Sequence, residues 1–237
     1  MPSPRRGVGG RMLQEPEQEP EQEPAVQRRS VVQAGNRWEQ YVSAGYSRRG
    51  PEVLRDWIHK VGGDSDRVRM YNLFDKHGVV DSMTREESID VGVQFSHMEN
   101  VCNVLCSFGS GFRQSTFYRH PWLPFIAELD GYCFVDSKWS SRSPVVCYQE
   151  PWMSERTIGC TGTKGEFAQL LQKPALLFDD RIENLAGLPE SNCQGVLVPR
   201  RPRDRAAWHQ VATSPAQWIT HSMQFLESQS MFSRTWG

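Results

Sequence analysis

The sequence has no apolar run near the roughly 20 residues that a membrane-spanning helix needs. Its first residues, MPSPRRGVGGRML, contain arginines with no apolar stretch behind them, which speaks against a secretory signal. Nor is there an excess of charge. Lys and Arg number 27 against 28 Asp and Glu, a net charge of -1, so the basic stripe that marks a nucleic-acid binder is missing. These absences lead to the expectation of an intracellular, cytoplasmic protein with no membrane and no nucleic-acid partner. The six cysteines, Cys102, Cys106, Cys133, Cys147, Cys160 and Cys193, form no C-x-x-C pair and no zinc-finger spacing. They are expected as reduced, buried thiols, with Cys102 and Cys106 on one face of a strand. The histidines make no H-E-x-x-H, and no serine stands in G-x-S-x-G. Gly159-x-x-Gly162-x-Lys164 departs from the phosphate-loop pattern, and Gly109-Ser110-Gly111 lacks the last glycine of a dinucleotide loop.

What is present begins with a tail. Residues 1–35 include QEPEQEPEQEP, a Pro/Glu/Gln repeat too poor in apolar groups to build a core, and are predicted to be disordered. Residues 36–64 read as a short helical segment. Trp38, Tyr41 and Val42, then Val53, Leu54, Trp57 and Ile58, recur at helical spacing on either side of Gly50-Pro51. Residues 65–202 form the main domain, and 203–237 a C-terminal helical extension. In that extension Trp218, Ile219, Met223, Phe225 and Leu226 are read as the apolar face of a helix packed on the domain edge. Trp208, Trp218 and Trp236 are candidates for an apolar contact surface; oligomeric state is open.

The main domain is a series of short apolar runs: 68–74, 101–106, 132–135, 145–148, 175–178 and 195–198. Helix-like stretches at 112–129 and 164–172 lie between them. Buried strands alternating with helices predict an α/β fold, a Rossmann-like doubly wound parallel sheet. Ligands of such sheets bind beyond the carboxyl ends of the strands. Several runs end there in reactive groups. Asp75-Lys-His-Gly-Val-Val-Asp-Ser82 follows the first strand, Ser107 ends the second, Lys164 opens a helix, and Leu-Leu-Phe-Asp179-Asp180 ends a later strand.

Together and in this order, over about Val68 to Arg200, these elements resemble the haloacid dehalogenase superfamily. The resemblance implies a HAD-like fold and magnesium-dependent phosphoryl transfer through an aspartyl-phosphate, a phosphatase or related hydrolase. Asp75 then looks like the nucleophile, Ser107 the hydroxyl that bonds the phosphoryl group, and Lys164 the cation that steadies both. The implied metal ligands are Asp179 and Asp180 with Asp75 and the backbone carbonyl of His77, and the implied cofactor is Mg2+. Physical chemistry is consistent with these roles. Clustered carboxylates repel unless a cation sits among them, and phosphoryl transfer needs positioning and charge neutralisation above all.

At the position two after the nucleophile, where the family's phosphatases carry a second aspartate as acid and base, this chain has His77. The imidazole reads either as that acid and base or as a spacer before Gly78. The resemblance further implies a helical squiggle and hairpin flap after Gly78, where Asp81 and Ser82 cap or turn. The short interval from Asp75 to Ser107 leaves no room for a large cap. The surplus at 137–163 suggests an extra hairpin near an open site, one able to take a phosphorylated small molecule or macromolecule. The alternative is a catalytically inactive HAD-like binding or interaction protein.

Overall fold

A computed structural model describes residues 48–109, 123–136 and 145–235, apart from 152, 187 and 189–191. These all belong to the compact unit Tyr41–Gly237. The predicted tail and the helix expected around Trp38 lie outside the described residues, as do Trp236 and most of the helix-like stretch from 112.

The strands are β1 (Arg48–Arg49), β2 (Met70–Phe74), β3 (Val101–Phe108), β4 (Gly131–Asp136), β5 (Cys147–Gln149), β6 (Thr157–Thr161), β7 (Ala175–Asp179) and β8 (Cys193–Leu197). They form one sheet in the order β1-β5-β6-β4-β3-β2-β7-β8. The six strands from β6 to β8 are parallel, and β1 and β5 add antiparallel pairs at one side. The helices are α1 (Pro51–Lys60), α2 (Arg85–Ser96), α3 (Leu123–Glu128), α4 (Lys164–Leu170), α5 (Ile182–Ala186) and α6 (Pro215–Thr235). The α/β expectation therefore holds, with a sheet that is mostly rather than wholly parallel. The surplus near 145–161 does form an antiparallel pair, β5 with β6, but β6 is also a full member of the main sheet.

Strand alternation sorts the core into two layers. Tyr71, Leu73, Val104, Cys106, Ala175 and Leu177 point to one face and pack under α1, α4 and α5. Met70, Phe74, Val101, Leu105, Leu176 and Phe178 point to the other and pack under α2, α3 and α6. Because helices cover both faces, β2 and β7 are buried along their whole length, and they read as apolar runs, interrupted in β2 only by Asn72. Phe74 and Phe178, register partners on adjacent strands, stack with centroids 5.0 Å apart and planes at 8°. Phe95 and Phe125 meet Phe74 edge-on.

One buried polar chain ties this face together. Asn72 donates to Asn103 Oδ1 (3.0 Å), Asn103 donates to the Phe95 carbonyl (3.2 Å), and Ser222 Oγ donates to Asn72 Oδ1 (3.1 Å). It fixes how α6 lies: of the expected apolar face Trp218, Ile219, Phe225 and Leu226 pack on this layer and Met223 does not. Trp218 and Ser222, one turn apart, are buried, whereas Met223 is 51% exposed. Nor does α6 rest on the domain edge: Trp218 lies 6.2 Å from the rings of both Phe74 and Phe178. Trp218 is thus core rather than a contact surface, and half-buried Trp208 donates its indole N–H to the Gly195 carbonyl (2.9 Å).

After β2 the chain makes turns and a single 3-10 turn, Val80–Ser82, and no hairpin flap forms among the described residues there. The reason is local. Thr84 and Glu87 form a reciprocal capping box that starts α2 at Arg85, so the backbone groups after Ser82 are committed to a helix.

All six cysteines are free and buried. Burial pushes the thiols of Cys102, Cys133 and Cys193 upward, the last to about 12, and raised thiols react poorly. A second cleft, of about 430 Å3, opens between α1 and β5. On its wall Glu150 is buried, and its Oε1 has no hydrogen-bond partner. Desolvation raises the Glu150 carboxyl above its ordinary 4.5, with Arg49 opposing.

Two outcomes follow. A thiol reagent at pH 8 should leave the native chain unmodified and label all six cysteines after unfolding in guanidinium; rapid native labelling would contradict the buried layer. Glu150, easier to protonate when folded, contributes stability that is full below about pH 4.5 and is lost as pH rises through its raised folded value. Urea titrations of Glu150→Gln against wild type should show the variant gaining relative stability between pH 4 and 7. A pH-independent difference would rule this account of Glu150 out.

Candidate active site

In this sheet β2 sits between two runs that extend in opposite directions: β3, β4 and β6 on one side, β7 and β8 on the other. The carboxyl ends of β2 and β7 therefore flank the point where strand order reverses, the usual ligand crevice of an open α/β sheet. Asp75 directly follows β2 and Asp179 ends β7. Their positions are matched by the parallel register of Phe74 with Phe178 and by the hydrogen bond from Asp75 N–H to the Phe178 carbonyl (2.9 Å). Since Phe74 and Phe178 both face the α2/α3/α6 layer, alternation turns Asp75 and Asp179 toward the opposite layer.

That layer contains α4, whose first residue is Lys164. A second reciprocal capping box, Thr163 with Glu166, fixes where α4 starts. Phe167, Ala168 and Leu171 anchor the helix to the core. Lys164 Nζ consequently reaches both acids, 2.5 Å from Asp75 Oδ1 and 2.5 Å from Asp179 Oδ2, and lies 5.0 Å from the centre of the Phe108 ring. Its side chain is 1% exposed. Burial alone would lower its affinity for a proton, but Asp75 and Asp179 outweigh burial and hold the ammonium above its ordinary value.

The other contacts divide the two strand-end acids into different roles. Asp179 accepts from the Arg181 N–H (2.9 Å) and from the Asn184 side-chain amide (3.0 Å) as well as from Lys164. Burial raises its carboxyl, and Lys164 and the Arg181 N–H pull it back. Its oxygens are thus occupied within the protein. Asp180 instead pairs with Arg200, and is raised by burial and by the nearby negative charge of Asp75. Gly78 makes that closeness possible: a Cβ there would come within 2.0 Å of Asp180 Cγ. Asp75 Oδ2 accepts from the Gly78 N–H (2.8 Å), so the turn that orients Asp75 also makes room for Asp180.

His77 lies on the same turn with its ring about half exposed and Nδ1 3.4 Å from Asp81 Oδ2. Lys76 also bonds Asp81, at 3.2 Å. Ser107 is buried on β3, paired in register with Phe134, and makes no hydrogen bond to Asp75 or Lys164. The structure thus joins Asp75, Lys164 and Asp179 directly, sets Asp180 and His77 at the same turn, and leaves Ser107 adjacent but unconnected. Above them opens a cleft of about 740 Å3 bordered by Asp75, His77, Phe108, Asp180, Asn184 and Arg200. Asn184 and Arg200 were not singled out from sequence, although Asn184 stands five residues after Asp179, in the middle of the short α5, where its amide reaches back.

A magnesium ion prefers oxygen ligands, usually one or two carboxylates with water and phosphate. Among the described residues no group of three or more His, Cys, Asp and Glu side chains converges on one point. The carboxylates of Asp75 and Asp180, which border the same cleft, meet the smaller requirement, and Asp179 is already committed. The donor set therefore fits Mg2+ with two carboxylates rather than three. No described helix is long and apolar enough to cross a membrane. No protein-family model, curated protein or solved structure matches the chain.

Lys164→Met leaves two buried carboxylates facing each other without their cation. The expected cost is about 3–5 kcal/mol of stability in urea unfolding, with partial recovery when Asp75→Asn and Asp179→Asn are added. A loss below about 1 kcal/mol, the scale of a surface pair, would mean that the bridge is not buried as described.

Proposed function

We propose that the protein is a phosphohydrolase of the haloacid dehalogenase type, dependent on Mg2+ and acting through an aspartyl-phosphate on Asp75. The observation that carries this reading is one ammonium, Lys164, shared by Asp75 and Asp179 at the reversal point of the sheet, with Asp75 still open to the cleft. Such a carboxylate is fixed in direction by the Gly78 N–H and Lys164, and one side borders the space where a phosphoryl group would sit. Positioning of this kind supplies much of what phosphoryl transfer requires.

In this account an oxygen of Asp75 attacks phosphorus in line and the leaving alcohol departs on the cleft side. Lys164 stabilises the charge shared between nucleophile and phosphoryl group, and Ser107 donates a hydrogen bond to a phosphoryl oxygen. His77, on the cleft wall with Asp81 behind its Nδ1, delivers the proton to the leaving oxygen and takes one from the water that hydrolyses the acyl-phosphate. Asp179 positions Lys164. Asp75, Asp180 and the His77 carbonyl would hold the metal, which when bound supplies neutralisation of the phosphoryl charge. The open cleft, with no cap domain among the described residues, suits either a small phosphate ester or a phosphorylated side chain of a macromolecule.

Hydrolysis of p-nitrophenyl phosphate, with and without Mg2+, tests the proposal. Wild type is expected to turn over only with the metal, and Asp75→Asn to lose at least about a thousandfold in kcat, the scale of losing a nucleophile. An inert wild type that gains activity in His77→Asp would instead identify a binding protein built on the same site.

A further inference from the structure

The three site carboxylates, Asp75, Asp179 and Asp180, are met by two cationic side chains, and these differ in one physical respect. Lys164 is 1% exposed, gives 2.5 Å hydrogen bonds to two acids, and projects from a helix anchored in the core. It cannot leave without exposing a buried charge. Arg200 meets only Asp180. Its side chain is 56% exposed while that of Asp180 is 6% exposed, and it stands just beyond β8, on the border of the cleft that Asp75 and His77 also line. It can swing into solvent or across the cleft at little cost, because a half-exposed ion pair is weak.

Resting on the phosphohydrolase reading, we infer that Arg200 is a displaceable counter-ion: it holds Asp180 in the absence of a divalent cation and moves onto the substrate's phosphoryl oxygens once the cation has taken Asp180. Charge gives the direction. With both cationic side chains in place the three carboxylates carry one net negative charge. A divalent ion beside Asp75 and Asp180 offsets the two negative charges that Lys164 leaves uncompensated, and so removes the attraction that holds the guanidinium there. An incoming phosphate then offers it a planar, bidentate partner, the geometry that arginine matches best. Arg201 provides the contrast on the same rim, since it is tied by two hydrogen bonds to Asp204 (3.0 and 3.2 Å) and to no site carboxylate.

Calorimetric titration of the full chain, without turnover, separates the two halves of the exchange. In Arg200→Gln, Mg2+ alone should bind about three- to fivefold more tightly than in wild type, the scale of a part-exposed ion pair. Inorganic phosphate added at saturating Mg2+ should bind more weakly by a similar factor. Arg201→Gln, which removes the same charge from the same rim, should change either affinity by less than about twofold. Opposite signs confined to Arg200→Gln support the inference. Unchanged or weaker Mg2+ binding in Arg200→Gln, equal shifts in both variants, or unchanged phosphate binding would overturn it while leaving the phosphohydrolase reading intact. If neither wild type nor Arg200→Gln binds Mg2+ at millimolar concentration, that reading falls and the inference with it.

Discussion

A single buried ammonium holds the site together. Lys164 lies between Asp75 and Asp179 at 2.5 Å from each, in a place where two carboxylates brought together by the sheet would otherwise repel. Burying three charges is costly, and a pair of this kind rarely adds net stability over apolar groups. What it provides is direction: Asp75 cannot rotate away from the cleft while Lys164 and the Gly78 N–H each hold one of its oxygens. The arrangement costs stability and gains geometry, as the proposed nucleophile would require.

The rest of the fold can be understood as the support for that bridge. Parallel register aligns Asp75 with Asp179, alternation turns both to the α4 layer, and a capping box sets the residue at which α4 begins. On the far side of the sheet the stacked Phe74 and Phe178 directly precede the two acids in sequence. Their packing against Phe95, Phe125 and Trp218 fixes the strand ends from behind. The hydrogen-bonded chain from Asn103 through Asn72 to Ser222 binds the C-terminal helix to β2 and to its other neighbour, β3. Packed elements thus surround the site on the core side, and the part-exposed charge of Arg200 is on the cleft side.

Much of this was legible in the chain, for identifiable reasons. Largely apolar runs followed by Asp gave away β2 and β7, because strands buried on both faces do not alternate regularly in polarity. Lys164 was read as opening a helix, which it does in α4, but its pairing with Asp75 was implied only by the family resemblance. Other features were hidden. Thr157–Thr161 reads TIGCT, with too little apolar character to stand out, yet it is a strand paired on both sides, with Gly159 where Tyr148 leaves no room for a side chain. α2 buries Ser88 and Gly92 beside Val91 and Phe95, so its apolar periodicity is faint, although the Thr84/Glu87 capping box was a signal that could have found it. The face of α6 was read correctly at Trp218, Ile219, Phe225 and Leu226, but not at Met223, and buried Ser222 was missed because, although satisfied by Asn72, it looks polar in sequence. The roles of Asn184 and Arg200 depend on side-chain reach across elements, which no local pattern encodes.

The most direct measurement of the central claim is to trap the acyl-phosphate. Incubation with p-nitrophenyl phosphate and Mg2+, rapid quenching in acid and reduction with borohydride convert a phosphorylated aspartate to homoserine, which peptide mass spectrometry locates. The account predicts homoserine at Asp75, absent without substrate. Turnover with no modified peptide, or with the modification at any other residue, would contradict it.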